Sequence, residues 1–111
     1  MADFVYLFRG GMSPNASPEQ MQQSMQKWRT WIDELGKKGH FKAGDPLEST
    51  GKVLSGKQKV VTDGPYAEAK DLIGGYLVVA AETLTDATEL AKSCPIFDAG
   101  GSVEVRAVMK M

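Results

Sequence analysis

Phe4-Val5-Tyr6-Leu7-Phe8-Arg9 alternates between two dry faces, with Phe4, Tyr6 and Phe8 on one and Val5 and Leu7 on the other. A short run of aromatic and β-branched residues closed by Gly10-Gly11 predicts a strand. Leu72 to Ala81 repeats the pattern, apolar on both faces, and Gly74-Gly75 within it marks a bulge or a close backbone approach. A strand that presents water with neither face must be covered on both.

Between these runs lies the clearest helix signal in the chain. Ser17 suits an N-cap, Pro18 the first helical position, and Gln20 the return partner of a capping box. Met21, Met25, Trp28, Ile32 and Leu35 recur at spacings of 4, 3, 4 and 3, one apolar stripe expected to pack into the core. Lys37 and Lys38 suit the negative end of the helix dipole, and Gly36 or Gly39 its termination. A second helix is expected from Thr83 as N-cap, with Leu84, Ala87, Leu90, Ala91 and Cys94 on its inner side and Pro95 after its end. Phe41 to Gly44 reads as a short strand broken by Asp45-Pro46. Lys52 to Leu54 and Lys57 to Thr62 pair as a hairpin across Ser55-Gly56, and Ser102 to Met109 is the last strand, after the Gly100-Gly101 turn.

The order strand, helix, two or three strands, helix, strand is that of an α+β fold, the ferredoxin-like split β-α-β arrangement with both helices on one face of an antiparallel sheet. Two helices leave the second face bare, yet the first strand and the Leu72–Ala81 strand are apolar there too. A second copy packing sheet against sheet is the economical cover, so a homodimer resembling the dimeric α/β-barrels is expected.

The chain has 111 residues, read as one domain over 1–111, with 42% hydrophobic and 24% charged residues, which excludes a disordered chain. Thirteen basic against fourteen acidic side chains give no electrostatic grip on nucleic acid or an anionic membrane. One cysteine and one histidine exclude an intrachain disulfide, a Cys/His zinc site within one chain and a Cys-x-x-Cys pair. No metal or other cofactor is expected. No run approaches the roughly 18 to 20 apolar residues of a membrane span, and no signal-peptide pattern opens the chain, so the expected location is the cytoplasm.

The densest polar cluster is Thr62-Asp63-Gly64-Pro65-Tyr66-Ala67-Glu68-Ala69-Lys70-Asp71, leading into Gly74-Gly75-Tyr76. Three carboxylates, an ammonium and a phenol between two strands are a plausible functional loop, and a carboxylate drawn into an apolar pocket could serve as acid or base. The competing reading makes Asp63 a turn residue and Glu68, Lys70 and Asp71 solvated charges. His40 is expected in a solvated loop, Cys94 as a small buried hydrophobe, and Glu104 and Arg106 either in a cross-strand ion pair or facing a ligand. Arg9, at a strand end, could bind an anion.

The Asp63-Gly-Pro-Tyr-Ala-Glu-Ala-Lys70 stretch, with Gly74-Gly-Tyr76 and Gly101-Ser-Val-Glu-Val-Arg106, resembles the YCII-related family in its DGPF branch, named for an Asp-Gly-Pro-Phe-Ala-Glu-Thr-Lys-Glu stretch. The likeness runs from Phe4 to Met109. Here Tyr66 stands for Phe, Ala69 for Thr and Asp71 for Glu. The resemblance implies a ferredoxin-like dimeric α/β-barrel. It also implies a proton-transfer pair of a first-helix histidine and the aspartate that Asp63 matches. The histidine position falls at or next to Trp28, and the only histidine is His40, so that pair is incomplete.

Three uses remain open. One is a small-molecule site with Asp63 as its acid or base and Tyr66, Glu68, Lys70, Tyr76 and Arg106 as ligand-binding residues. Any catalysis there would be proton transfer of the lyase or isomerase type, with Lys70 or Arg106 steadying negative charge. The second is a non-catalytic regulatory module, since the DGPF resemblance extends to domains found alongside extracytoplasmic-function sigma factors. The third makes the Asp63 segment structural. Binding or regulation stands ahead of catalysis.

Overall fold

The computed structural model describes residues 1–11, 16–64 and 71–111. Its elements are β1 (Ala2–Arg9), α1 (Pro18–Lys37), β2 (Phe41–Pro46), β3 (Gly51–Ser55), β4 (Val60–Gly64), β5 (Ile73–Ala81), α2 (Leu84–Ala91), a short 3-10 helix (Pro95–Ala99) and β6 (Ser102–Ala107). The main sheet runs β2-β5-β1-β6, every pair antiparallel, which is the ferredoxin-like order with a β3–β4 hairpin inserted as a separate two-stranded sheet.

Local chemistry sets the helix ends. Ser17 accepts from the Gln20 N–H at 3.1 Å while the Gln20 side chain accepts from the Ser17 N–H at 2.9 Å, closing the capping box with Pro18 at the first position. Thr83 caps α2 by accepting from the Asp86 N–H at 3.1 Å.

Both helices cover the same face of the sheet. Phe4, Tyr6 and Phe8 of β1 and Leu77 and Val79 of β5 are buried beneath Trp31 and Leu35 of α1 and Ala87 and Ala91 of α2. Tyr6 stacks on Trp31 at 6.1 Å, Phe8 meets Trp28 edge-on at 5.0 Å, and the Trp31 indole N–H donates to the Leu90 carbonyl at 3.4 Å. The Tyr6 hydroxyl donates to the Ala87 carbonyl, tying β1 to α2.

The expected α1 stripe holds only in its second half. Trp28 and Ile32 are half-buried and Leu35 is buried, but Met21 and Met25 are exposed, and Trp31, absent from the stripe, is a core residue. The helix runs antiparallel to β1, with Trp31 over Tyr6 and Trp28 over Phe8. Since β1 ends at Arg9, the turns before Trp28 run past the end of that strand. Leu84, expected on the inner side of α2, is exposed.

Other boundaries shift for simple reasons. β2 continues through Asp45 and Pro46, because an edge strand loses nothing to a proline on its unpaired side. The β3–β4 loop is Gly56 to Lys59 rather than Ser55-Gly56, with Gly56 and Lys59 both left-handed (φ 75° and 58°) and Ser55 opposite Val60. β6 stops at Ala107, two residues short of the expected Met109, although the Val108 N–H still reaches the Asp3 carbonyl at 2.9 Å. The expected bulge at Gly74-Gly75 is present, since Phe8 faces Gly75 and Arg9 faces Ile73.

Burial, with Cys94 nearby, pushes the Tyr6 phenol up from 10.0 to about 12, and burial pushes the Cys94 thiol from 9.0 to about 12. Both groups stay protonated in the folded chain where the unfolded chain ionises. The Cys94 contribution is therefore complete below pH 9.0 and the Tyr6 contribution below pH 10.0, and each is lost as pH rises from there towards 12, at about 1.4 kcal/mol per pH unit. Urea unfolding of Tyr6→Phe is expected to show a loss of about 1–3 kcal/mol at neutral pH, from the unpaired Ala87 carbonyl, and a flatter decline above pH 10.0. An alkaline slope equal to the parent's contradicts this.

Candidate functional site

The face of the sheet away from the helices carries an apolar strip framed by polar pairs. Register places Ala43, Val78, Val5 and Arg106 in one row across β2, β5, β1 and β6, and Asp45, Tyr76, Leu7 and Glu104 in the next. Directly opposed residues share a face, so Val5, Leu7 and Val78, all half-buried, form the centre. Asp45 with Tyr76 flanks it on one side and Arg9 with Glu104 and Arg106 on the other.

Two glycines bring β2 and β5 together at Tyr76. A Cβ on Gly44 would overlap the Leu77 side chain and lie 2.7 Å from the Tyr76 carbonyl oxygen, and one on Gly75 would lie 3.1 Å from the Asp45 carbonyl oxygen. The close approach lets the Tyr76 hydroxyl donate to Asp45 Oδ2 at 3.0 Å. That hydrogen bond to the carboxylate, and then its negative charge, raise the Tyr76 phenol above its usual 10.0, so it remains a donor at any physiological pH. On the other flank Arg9 donates from Nη1 to Glu104 Oε1 at 2.6 Å, and Arg106 Nε lies 3.8 Å from Glu104 Oε2. The Glu104 ion pair expected from strand alternation is therefore made mainly to Arg9 of the neighbouring strand, and Arg106 stays largely exposed.

The site residues expected from sequence divide between the two sheets. Tyr76 and Arg106 lie in the main sheet, whereas Asp63 lies on β4, its carboxylate 90% exposed and paired with Lys52 across the hairpin. Asp63 thus sits within a strand, not in the loop. Tyr66, Glu68 and Lys70 fall outside the described residues. Asp45 and Arg9 belong to the framed face. Arg9 was legible as a strand-end cation, but Asp45 was hidden because Asp-Pro reads as a strand breaker.

Two open recesses lie elsewhere. The larger, of about 710 Å³, runs between α1 and residues 92–98, and none of Asp63, Tyr76 or Arg106 lines it. The smaller, of about 380 Å³, is lined by His40 with Glu82, Asp86 and Glu89. His40 is half-buried rather than a solvated loop residue: its Nδ1 donates to the Ala80 carbonyl at 2.7 Å, and the Ala80 N–H returns a bond to the His40 carbonyl. Among the described residues no three His, Cys, Asp or Glu side chains converge as metal ligands would, and no helix is long and apolar enough to cross a membrane.

The YCII-related domain model matches residues 5–111, all but the first four. The chain belongs to the YCII-related family. The Asp63-to-Lys70 stretch lies inside the match. No curated protein sequence matches this YCII-related chain. Among solved structures it is similar to the 5-chloro-2-hydroxyhydroquinone dehydrochlorinase of Burkholderia phenoliruptrix, in complex with 2,5-dihydroxybenzoquinone. The two align with a TM-score of 0.56 over 98% of this chain and 95% of the other, at 18% identity, a likeness of fold.

Asp45→Asn removes the charge that holds the Tyr76 proton. Tyrosinate absorbance titrations of the two proteins are expected to differ by one phenol that titrates earlier in the variant. Superimposable curves contradict the Asp45–Tyr76 pair.

Proposed function

We propose that this YCII-related protein is a cytoplasmic homodimer that binds a small polar organic molecule on the helix-free face of its sheet. The observation that carries the reading is the apolar strip of Val5, Leu7 and Val78 set between two hydrogen-bonded polar pairs, Asp45–Tyr76 and Arg9–Glu104. Pockets for small ligands share this composition, apolar walls with a few fixed polar groups. A flat sheet face does not enclose a ligand, and a second copy over the strip supplies the missing wall. Tyr76 and Arg106 contact the ligand from the sheet. Asp63, on β4, precedes in sequence the stretch that carries Tyr66, Glu68 and Lys70.

The chemistry of the face suits a small oxygenated ring. A phenol held as a donor and guanidinium groups match hydroxyl, carbonyl or enolate oxygens, and the strip matches a ring face. The fold neighbour's bound 2,5-dihydroxybenzoquinone is a molecule of that class.

Binding, or ligand-controlled regulation of a sigma-factor type, stands ahead of turnover. The first-helix position that the family resemblance gives to a histidine falls at or next to Trp28, and that indole is packed edge-on against Phe8 in the core. A proton-transfer reaction with Asp63 as acid or base would need another partner in its place.

A thermal-shift screen of oxygenated ring compounds against the protein, Tyr76→Phe and Asp63→Asn tests the proposal. A ligand present at a hundred times its Kd is expected to stabilise the parent by about 2.7 kcal/mol. The gain should shrink in both variants. Equal gains in the parent and Tyr76→Phe place the ligand elsewhere. An Asp63→Asn variant that is less stable but binds fully makes Asp63 structural.

A further inference from the structure

Among the described residues the β3–β4 hairpin is a separate two-stranded sheet, and a two-stranded hairpin is marginal in water without something to pack on. It nevertheless carries exposed apolar side chains: Leu54 at 63% and Val61 at 57% lie opposite one another on one face, and Val60 at 52% lies on the other. The projecting hairpin is consistent with the dimensions of the chain, whose radius of gyration is 15.5 Å, against about 13 Å for a compact domain of this length.

Charge indicates what covers it. Residues 51–64 hold three lysines, Lys52, Lys57 and Lys59, against one aspartate, a net +2. The rest of the chain holds ten basic and thirteen acidic side chains, a net −3. An arm that is apolar and basic, on a body that is acidic, complements a second copy of itself.

We propose that the β3–β4 hairpin is a dimerisation arm whose Leu54–Val61 face docks on the second copy of the chain. Lys52 and Asp63 oppose one another on that same face, two residues along each strand. Docking therefore carries Asp63 of one copy into the contact with the other, so that a site divided between two sheets in one protomer is assembled from both copies. This rests on the dimer of the proposed function but concerns a different surface.

Sedimentation equilibrium at micromolar concentrations is the test. Leu54→Asp/Val61→Asp is expected to raise the dimer dissociation constant about a hundredfold, with the far-ultraviolet circular dichroism unchanged because both side chains are exposed and lie outside the core cluster. Should that variant fail to fold, Lys57→Glu/Lys59→Glu at the exposed tip takes its place, with about a tenfold rise and a weaker salt dependence than the parent's. A dimeric parent with unchanged constants in the variants overturns the arm and leaves the open-face dimer standing. A monomeric parent overturns both.

Discussion

Tyr6 holds the two layers of this fold together. Its ring stacks on Trp31 of α1 while its hydroxyl donates to the Ala87 carbonyl of α2, so one side chain of the central strand fixes both helices. It is wholly buried, and its hydroxyl, which would be costly there unpaired, has its partner. With both helices committed to the face of Phe4, Tyr6 and Phe8, the opposite face of β1 receives no helix among the described residues. The same alternation that builds the core thus creates the open strip of Val5 and Leu7, and the functional reading begins from that asymmetry.

Polar groups around the strip are arranged by backbone rather than by local sequence. Tyr76 reaches Asp45 because Gly44 and Gly75 admit β2 and β5 to a separation that a Cβ would prevent, and because the bulge at Gly74 sets the register. Arg9 reaches Glu104 because antiparallel pairing brings the end of β1 beside the start of β6. Neither pair is close in sequence. Each supplies a fixed donor or cation beside an apolar surface, an arrangement suited to holding a ligand and equally to fixing the register of a second sheet.

Much of the fold was legible in the residues. The alternation in Phe4–Arg9 and Leu72–Ala81, the capping box at Ser17 and the order of elements led to the ferredoxin-like sheet, and the paired glycines announced the bulge. What escaped depended on lengths and partners. Periodicity alone cannot show that α1 outruns β1, so Met21 and Met25 looked like core, while Trp31, beside the stripe, did not. Asp45-Pro46 read as a break because the sequence does not say that β2 is an edge strand. Of the candidate residues on the helix-free face, Tyr76 and Arg106 were named from sequence and Asp45 was not, because its pairing with Tyr76 depends on which residue the register sets opposite it. Asp63 was legible as a motif residue; its strand position and its Lys52 partner emerge only from the hairpin pairing.

The central claim is that the helix-free face of the sheet is completed by a second copy. Light scattering of the parent and of Leu7→Glu, which puts a charge in the middle of the strip and leaves the helix face untouched, addresses it directly. The account predicts a parent of twice the 12.0 kDa chain mass and a variant of 12.0 kDa that unfolds cooperatively. A parent of 12.0 kDa, or a Leu7→Glu variant that stays dimeric, contradicts it.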